Sequence, residues 1–283
     1  MRILKILILG SSGNIGGFLT KSLNKYYEVI ETGRKDIDIT NKNEVIDFIS
    51  NNSPDFVIDS AGIADVDFCE KNEDISYSIN TLGTMNVAIA CSKKNIPLIY
   101  ISSAQVYGSS ENSSHFEQDI CDPVNIFGKS KLAGENLIRT LCKKYYIIRT
   151  SWCFGGEKCF VKKIIDKKNI PIFMVADMKV NLTYLGDLAK VVLSMINSES
   201  YGIYNCTNKG SELKSNIVKY IFSQIGCSKE VFPLPASTLK ALAPRPKDCL
   251  LNTDLMESSF NIELPSWKDR MIEYIDTIMS LQK

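Results

Sequence analysis

Residues 3–17 read ILKILILGSSGNIGG, an apolar run from Ile3 to Leu9 interrupted only by Lys5 and then a glycine-rich turn from Gly10 to Gly17. The run has the length of a buried strand, and the amphipathic stretch Ile15–Leu23 after the turn has the spacing of a helix. Gly10, Gly13 and Gly16 stand three residues apart. In a strand-to-helix turn each has a mechanical use. The first allows a tight turn, the second lets backbone approach a pyrophosphate at the positive end of the helix, and the third lets helix and strand pack closely. A lone glycine triplet matches by chance. Placed directly after the first strand of an alternating chain, it argues for a dinucleotide site over a plain tight turn. Gly10, Ser12, Gly13, Asn14, Ile15 and Gly16 are thereby candidate cofactor contacts.

Working outward, short apolar runs recur at Glu28–Glu31, Phe56–Asp59, Leu98–Ser102 and Tyr146–Arg149, with helical patterns between them. That rhythm predicts an α/β fold, a doubly wound parallel sheet of the Rossmann type. Beyond residue 150 the pattern loosens, with prolines at 233, 235, 244, 246 and 265 and short candidate strands at Ile172–Val175 and Ile203–Asn205. We expect a smaller C-terminal substrate lobe from 151–181 and 199–283. Residues 1–150, rejoined at about 182–198 by a helix over Gly186–Asn197, form the NAD(P)-binding domain. A helix over Ser266–Leu281 closes the chain.

The 283 residues are 45% apolar and carry 33 basic and 32 acidic side chains, for a net charge of +1. Such a chain buries a substantial core, and it lacks the basic excess that binding a phosphate backbone demands. Nucleic acid is not an expected partner. The N-terminal run is too short for a membrane span and has no cleavage region, so a cytoplasmic protein without a membrane partner is expected. Nine cysteines without paired close spacing read as reduced core residues and not as a metal site.

After the second strand the chain has Gly33-Arg34-Lys35. An acid there would accept from a ribose hydroxyl and select NAD, whereas a guanidinium can receive a 2′-phosphate through a charge-assisted fork. NADP is therefore the expected cofactor. NAD is the alternative, through Glu31 two residues earlier.

The stretch PVNIFGKSKLAGE, Pro123–Glu135, places Phe127 and Lys131 one helical turn apart on one face. With GSSGNIGG, DIDIT (Asp36–Thr40), DFVIDSAG (Asp55–Gly62), Asn80 in SINTLGT, YISSAQVYG (Tyr100–Gly108), the IRTSWCFG segment, LTYLGDLAK (Leu182–Lys190) and RPKDCLLNT (Arg245–Thr253), it makes the chain resemble the extended short-chain dehydrogenase/reductases from residue 3 to about 275. Within them it looks most like the dTDP-4-dehydrorhamnose reductase group. The resemblance implies a nucleotide-diphosphate sugar as substrate, a reductase or epimerase of deoxysugar or surface-polysaccharide synthesis, and, from the fold alone, a homodimer. It further implies that Asp38 and Ile39 flank the adenine and that Ala61, Gly62 and Asn80 lie along the cofactor. Ser103 would be the catalytic hydroxyl and Lys131 the nicotinamide-ribose ligand. Ser103, Ala104, Gln105, Trp152, Asn181, Thr183 and Arg245 would face the substrate.

In the family the aromatic one turn before the lysine is tyrosine, whose hydroxyl protonates the sugar carbonyl as hydride arrives. Phe127 keeps the shape and loses that proton. Three readings follow: an engineered exchange that holds ligand in place, a natural residue of a regulatory protein such as the methionine adenosyltransferase regulatory subunit, or a different donor. His115 in the polar loop SSENSSHFEQD, Cys153 and Tyr107 are the candidate donors, each with a bland alternative as solvated, core or structural residue. The family's Asp-Gln-x-Gly-x-Pro-Thr is replaced within VADMKVNLTYLG (Val175–Gly186), so a different substrate pocket is expected.

Overall fold

A computed structural model describes residues 2–109, 114–167, 170–238 and 242–280. Its centre is a six-stranded parallel sheet ordered Gly202–Cys206, Tyr145–Thr150, Leu98–Ser103, Phe56–Asp59, Lys5–Leu9, Glu28–Thr32. Both faces are covered, which is why the first strand is apolar at successive positions. Ile6 and Ile8 join one core with Leu19 and Leu23 of the helix Asn14–Leu23 and with Leu188, Val191 and Val192 of Leu185–Ile196. Leu7 and Leu9 point the other way, against Val45 and Ile49 of Lys42–Asn52, Val87 and Cys91 of Thr84–Lys94, and Ile138 of Ile126–Leu141.

The expected strands agree to within one or two residues, with two corrections. Pairing begins at Lys5, and Ile3 is 66% exposed instead of buried. The strand at 202–206, expected in the smaller lobe, extends the main sheet, pairing in parallel with Tyr145–Thr150 from Gly202↔Tyr146 to Cys206↔Thr150. The helix Leu185–Ile196 supplies the crossover a parallel pair requires. The short apolar run could not announce this, because the connection that decides it lies outside the strand.

The smaller lobe has its own core, in which Phe154, Val161 and Ile165 meet Ile217, Val218 and Ile221 of Lys214–Gln224 and Trp267 and Met271 of Trp267–Ser280. Leu281, the expected end of that last helix, lies outside the described residues. Among the described residues no helix is long and apolar enough to cross a membrane, and no cluster of three or more His, Cys, Asp or Glu could hold a metal.

Candidate functional site

A groove of about 650 Å³ opens at the carboxyl ends of the central strands. Gly10, Ser12 and Gly13 line it from the first turn, Arg34, Asp38 and Ile39 from the turn after the second strand, and Ala61 and Gly62 from the turn after the third. Gly10 has φ +78°, and a Cβ there would stand 2.7 Å from the Ala61 amide nitrogen. A Cβ on Gly16 would stand 2.3 Å from the Gly10 carbonyl oxygen, so this glycine serves helix–strand packing. The first helical hydrogen bond, from Gly17 N–H to Gly13 O at 3.0 Å, leaves the first-turn amides free to meet an anion. The exposed Arg34 lines the same groove, and Asp38 is held below its usual range by the Thr40 hydroxyl and amide and, less, by Arg34. Backbone donors, a cradle that only glycine permits and a guanidinium at its far end fit a dinucleotide carrying a ribose phosphate.

The side chains of three expected cofactor contacts have partners within the protein. Asn14 turns away, its amide donating to Gly155 O and its oxygen accepting from Lys158 N–H, both at 3.1 Å. Ile15 packs its side chain on the core. Asn80 sits buried in a π-helical turn, Ser78–Gly83, accepting from Ile63 N–H at 2.8 Å and donating to Ile63 O and Ser130 Oγ at 3.1 Å. It fixes the turn that bears Ala61 and Gly62 to the helix Ile126–Leu141.

That helix starts hard against the end of the fourth strand. Asn125 caps it, accepting from Gly128 N–H at 2.9 Å and donating to Gln105 Oε1 at 2.8 Å, while a Cβ on Gly128 would stand 2.1 Å from Gln105 O. Ser103, whose Oγ accepts from Gln105 N–H at 3.2 Å, is thereby set beside the first turn. The expected substrate contacts Ala104 and Gln105 are spent here, Ala104 in a small apolar cluster and Gln105 on Asn125. Phe127 is 8% exposed and clusters with Ile126 and Cys69, with Ile63, Val66 and Tyr77 packed alongside.

Lys131 is 6% exposed, its ammonium 3.9 Å from the centre of the Tyr100 ring. Burial brings it down to about 8, against the opposing pull of Asp59 and Glu135. Asp59 has no exposed surface, accepts from Ala61 N–H at 3.1 Å and Thr84 Oγ1 at 3.3 Å, and is pushed up to about 6 by burial, with Lys131 opposing. The sequence reading passed over Asp59. Its signal was a carboxylate closing the apolar run FVID, which a parallel strand buries.

None of the candidate replacement donors lines the groove. His115 was expected in an exposed loop, but backbone pairing of Ser114–His115 with Asp248–Leu251 draws it in. Its ring stacks on Tyr107 at 4.3 Å and 5°, and burial lowers its pKa. Residues 110–113 of that loop lie outside the described residues. Cys153 is pushed up to about 11 by burial. Tyr107 donates to Phe116 O at 2.9 Å and accepts from Arg149, which pairs with the buried Glu135 at 2.6 Å.

On the substrate side, Trp152 stacks on Phe160 at 4.0 Å and 3°. Asn181 is consumed by Gly210 O at 2.9 Å and Leu251 N–H at 2.8 Å, and the buried Thr183 donates to Cys206 O at 3.0 Å. The fork of Arg245 is taken by Asp67, whose carboxyl that bond lowers to about 2. Lys214, unnoticed in the sequence, lies with its ammonium 5.5 Å from the Trp152 ring centre, lowered to about 8 by burial and by Arg245. It makes no ion pair among the described residues.

Residues 4–280 match the family described as RmlD substrate binding domain. A dTDP-4-dehydrorhamnose reductase of Aggregatibacter actinomycetemcomitans is 31% identical, over 93% of this chain and 96% of its own. The spore coat polysaccharide biosynthesis protein SpsK of Bacillus subtilis is 31% identical, over 96% of both. The crystal structure of dTDP-4-dehydrorhamnose reductase from Bacillus anthracis in complex with NADP superposes with a TM-score of 0.95, at 30% identity, covering 98% of this chain and all of that one.

Proposed function

The chain belongs to the RmlD substrate binding domain family, and from that premise we propose that it is an NADP-dependent reductase of a 4-keto nucleotide sugar in deoxysugar or surface-polysaccharide biosynthesis. The observation that carries this reading is one groove that brings the glycine cradle, Arg34 and the Ala61–Gly62 turn together, with Asn80 tying that turn to the helix bearing Lys131. Bound NADPH would supply hydride to the sugar carbonyl. Arg34 would hold the 2′-phosphate, the first-turn amides would take the pyrophosphate where Gly13 leaves room for it, and Lys131 would donate to the nicotinamide ribose. Ser103 Oγ donates to the carbonyl oxygen and stabilises the charge that develops there. Lys214, which makes no ion pair among the described residues, is the cation we assign to the sugar nucleotide's diphosphate, since Arg245 is engaged by Asp67.

Phe127 removes the customary proton donor, and positioned acid–base catalysis is worth about 10² to 10⁴ in rate. The absence of His115, Cys153 and Tyr107 from the lining of the groove favours a second reading, a catalytically silent cofactor-binding protein of the same fold. One experiment separates the two. NADPH oxidation with dTDP-4-keto-6-deoxy sugars is measured for the wild type and for Phe127→Tyr, a change of nearly constant volume. The reductase reading expects turnover to rise by about 10² or more in the variant. Cofactor binding with no turnover by either form overturns it in favour of the silent protein.

A further inference from the structure

Beside the groove lies a second cavity of about 240 Å³, walled by Ser12, Gly13 and Asn14 on one side and Gly156, Glu157 and Lys158 on the other. Ser12 and Gly13 line both cavities, so the two meet where the glycine turn enters the helix. The far wall comes from a loop 141 residues on, and Asn14 holds it by both ends of its amide, donating to Gly155 O and accepting from Lys158 N–H. That clamp delivers the ammonium of Lys158 to Ser12 O at 2.9 Å. An ammonium has three donors, so two remain for an anion at the junction. The other cation in the cavity, Lys21, is already paired with Glu157 at 2.6 Å. The Gly13 N–H is spent on Gly10 O at 2.9 Å, so an anion at the junction rests on the first-turn amides that follow, Asn14 to Gly16, and meets the Lys158 ammonium beside Ser12.

We propose that Lys158 is a pyrophosphate-binding residue of the dinucleotide site, carried to it by the Asn14 clamp. The proposal rests on the NADP reading above and assigns to the loop after the fifth strand a share of cofactor binding. Asn14 is a positioning residue in this scheme. A purely structural Lys158 would do no more than cap the Ser12 carbonyl.

The test is calorimetric titration of the full chain with two probes, NADPH and adenosine 2′-phosphate, which keeps the adenine and the 2′-phosphate and lacks the pyrophosphate. Lys158→Met is expected to weaken NADPH about tenfold, the usual worth of one charge-assisted hydrogen bond, and to leave adenosine 2′-phosphate unchanged. Lys158→Arg recovers most of the loss. Arg34→Ala weakens both probes, which shows that the assay senses the other end. Asn14→Ala weakens NADPH in the wild type and adds little to Lys158→Met, as coupled residues do. Unchanged NADPH affinity in Lys158→Met overturns the proposal, and so does an equal loss of both probes. If the wild type binds neither probe, the NADP reading falls and takes this inference with it.

Discussion

The guanidinium of Arg245 holds both carboxylate oxygens of Asp67, at 3.0 and 2.9 Å, across 178 residues of sequence. The pair ties the Pro-flanked loop of the smaller lobe to the helix Val66–Lys71, and Ala243 N–H adds a bond to Asp67 at 3.0 Å. Such a contact positions the loop and leaves no fork for phosphate. Arg245→Ala and Asp67→Asn should therefore raise KM for the nucleotide sugar by the same factor, roughly two- to fivefold for a partly exposed pair, with NADPH affinity unchanged. A large rise in Arg245→Ala and none in Asp67→Asn would show that the guanidinium reaches substrate itself.

Lys131 sets a pH dependence. Its ammonium, brought down to about 8, is the form that donates to ribose hydroxyls, so NADPH affinity should fall as pH rises through about 8. Asp59, ionised above about 6, and Glu135 both favour that charge. Asp59→Asn removes the larger of the two, lowers the pKa of Lys131 further, and should move the fall in affinity to lower pH. Calorimetric titrations with NADPH at intervals from about pH 6 to 9.5 read the midpoint, and a midpoint that stays put in the variant contradicts the coupling.

The glycines of the first turn should separate folding from binding. Gly10 combines φ +78° with a Cβ position 2.7 Å from Ala61 N, so Gly10→Ala should cost about 3 kcal/mol or more and lower Tm by roughly 6–12 °C. A Cβ on Gly13 would meet only the Gly10 carbonyl, at 3.2 Å, and would otherwise enter the groove. Gly13→Val should keep a near-native Tm and lose NADPH. Thermal melts with and without cofactor check both, and a Gly13→Val protein that NADPH still stabilises would displace the assigned cradle.

What the sequence determined by itself is what depends on near neighbours. The run Ile6–Leu9 is apolar on both faces because helices cover both faces of a parallel strand, and Gly16 records a close approach to Gly10 within the same turn. Phe127 and Lys131 share a face by helix geometry alone. Such constraints leave a periodic trace that can be read along the chain.

Tertiary structure decided how polar side chains are spent, because their partners lie far away in sequence and leave no periodic trace. His115 looked solvated until pairing with Asp248–Leu251 drew it against Tyr107, and Asn181 looked like a substrate contact until Gly210 and Leu251 claimed its amide. The strand 202–206 joined the main sheet because its partner is Tyr145–Thr150, and nothing in five residues names a partner. Asp59 and Lys131 share one charge environment only because strand and helix bury them together, and Lys158 reaches Ser12 across 146 residues. A hydrogen bond or a buried charge is specified by the atoms that meet in space, and in this chain those meetings were settled by sheet order and helix packing.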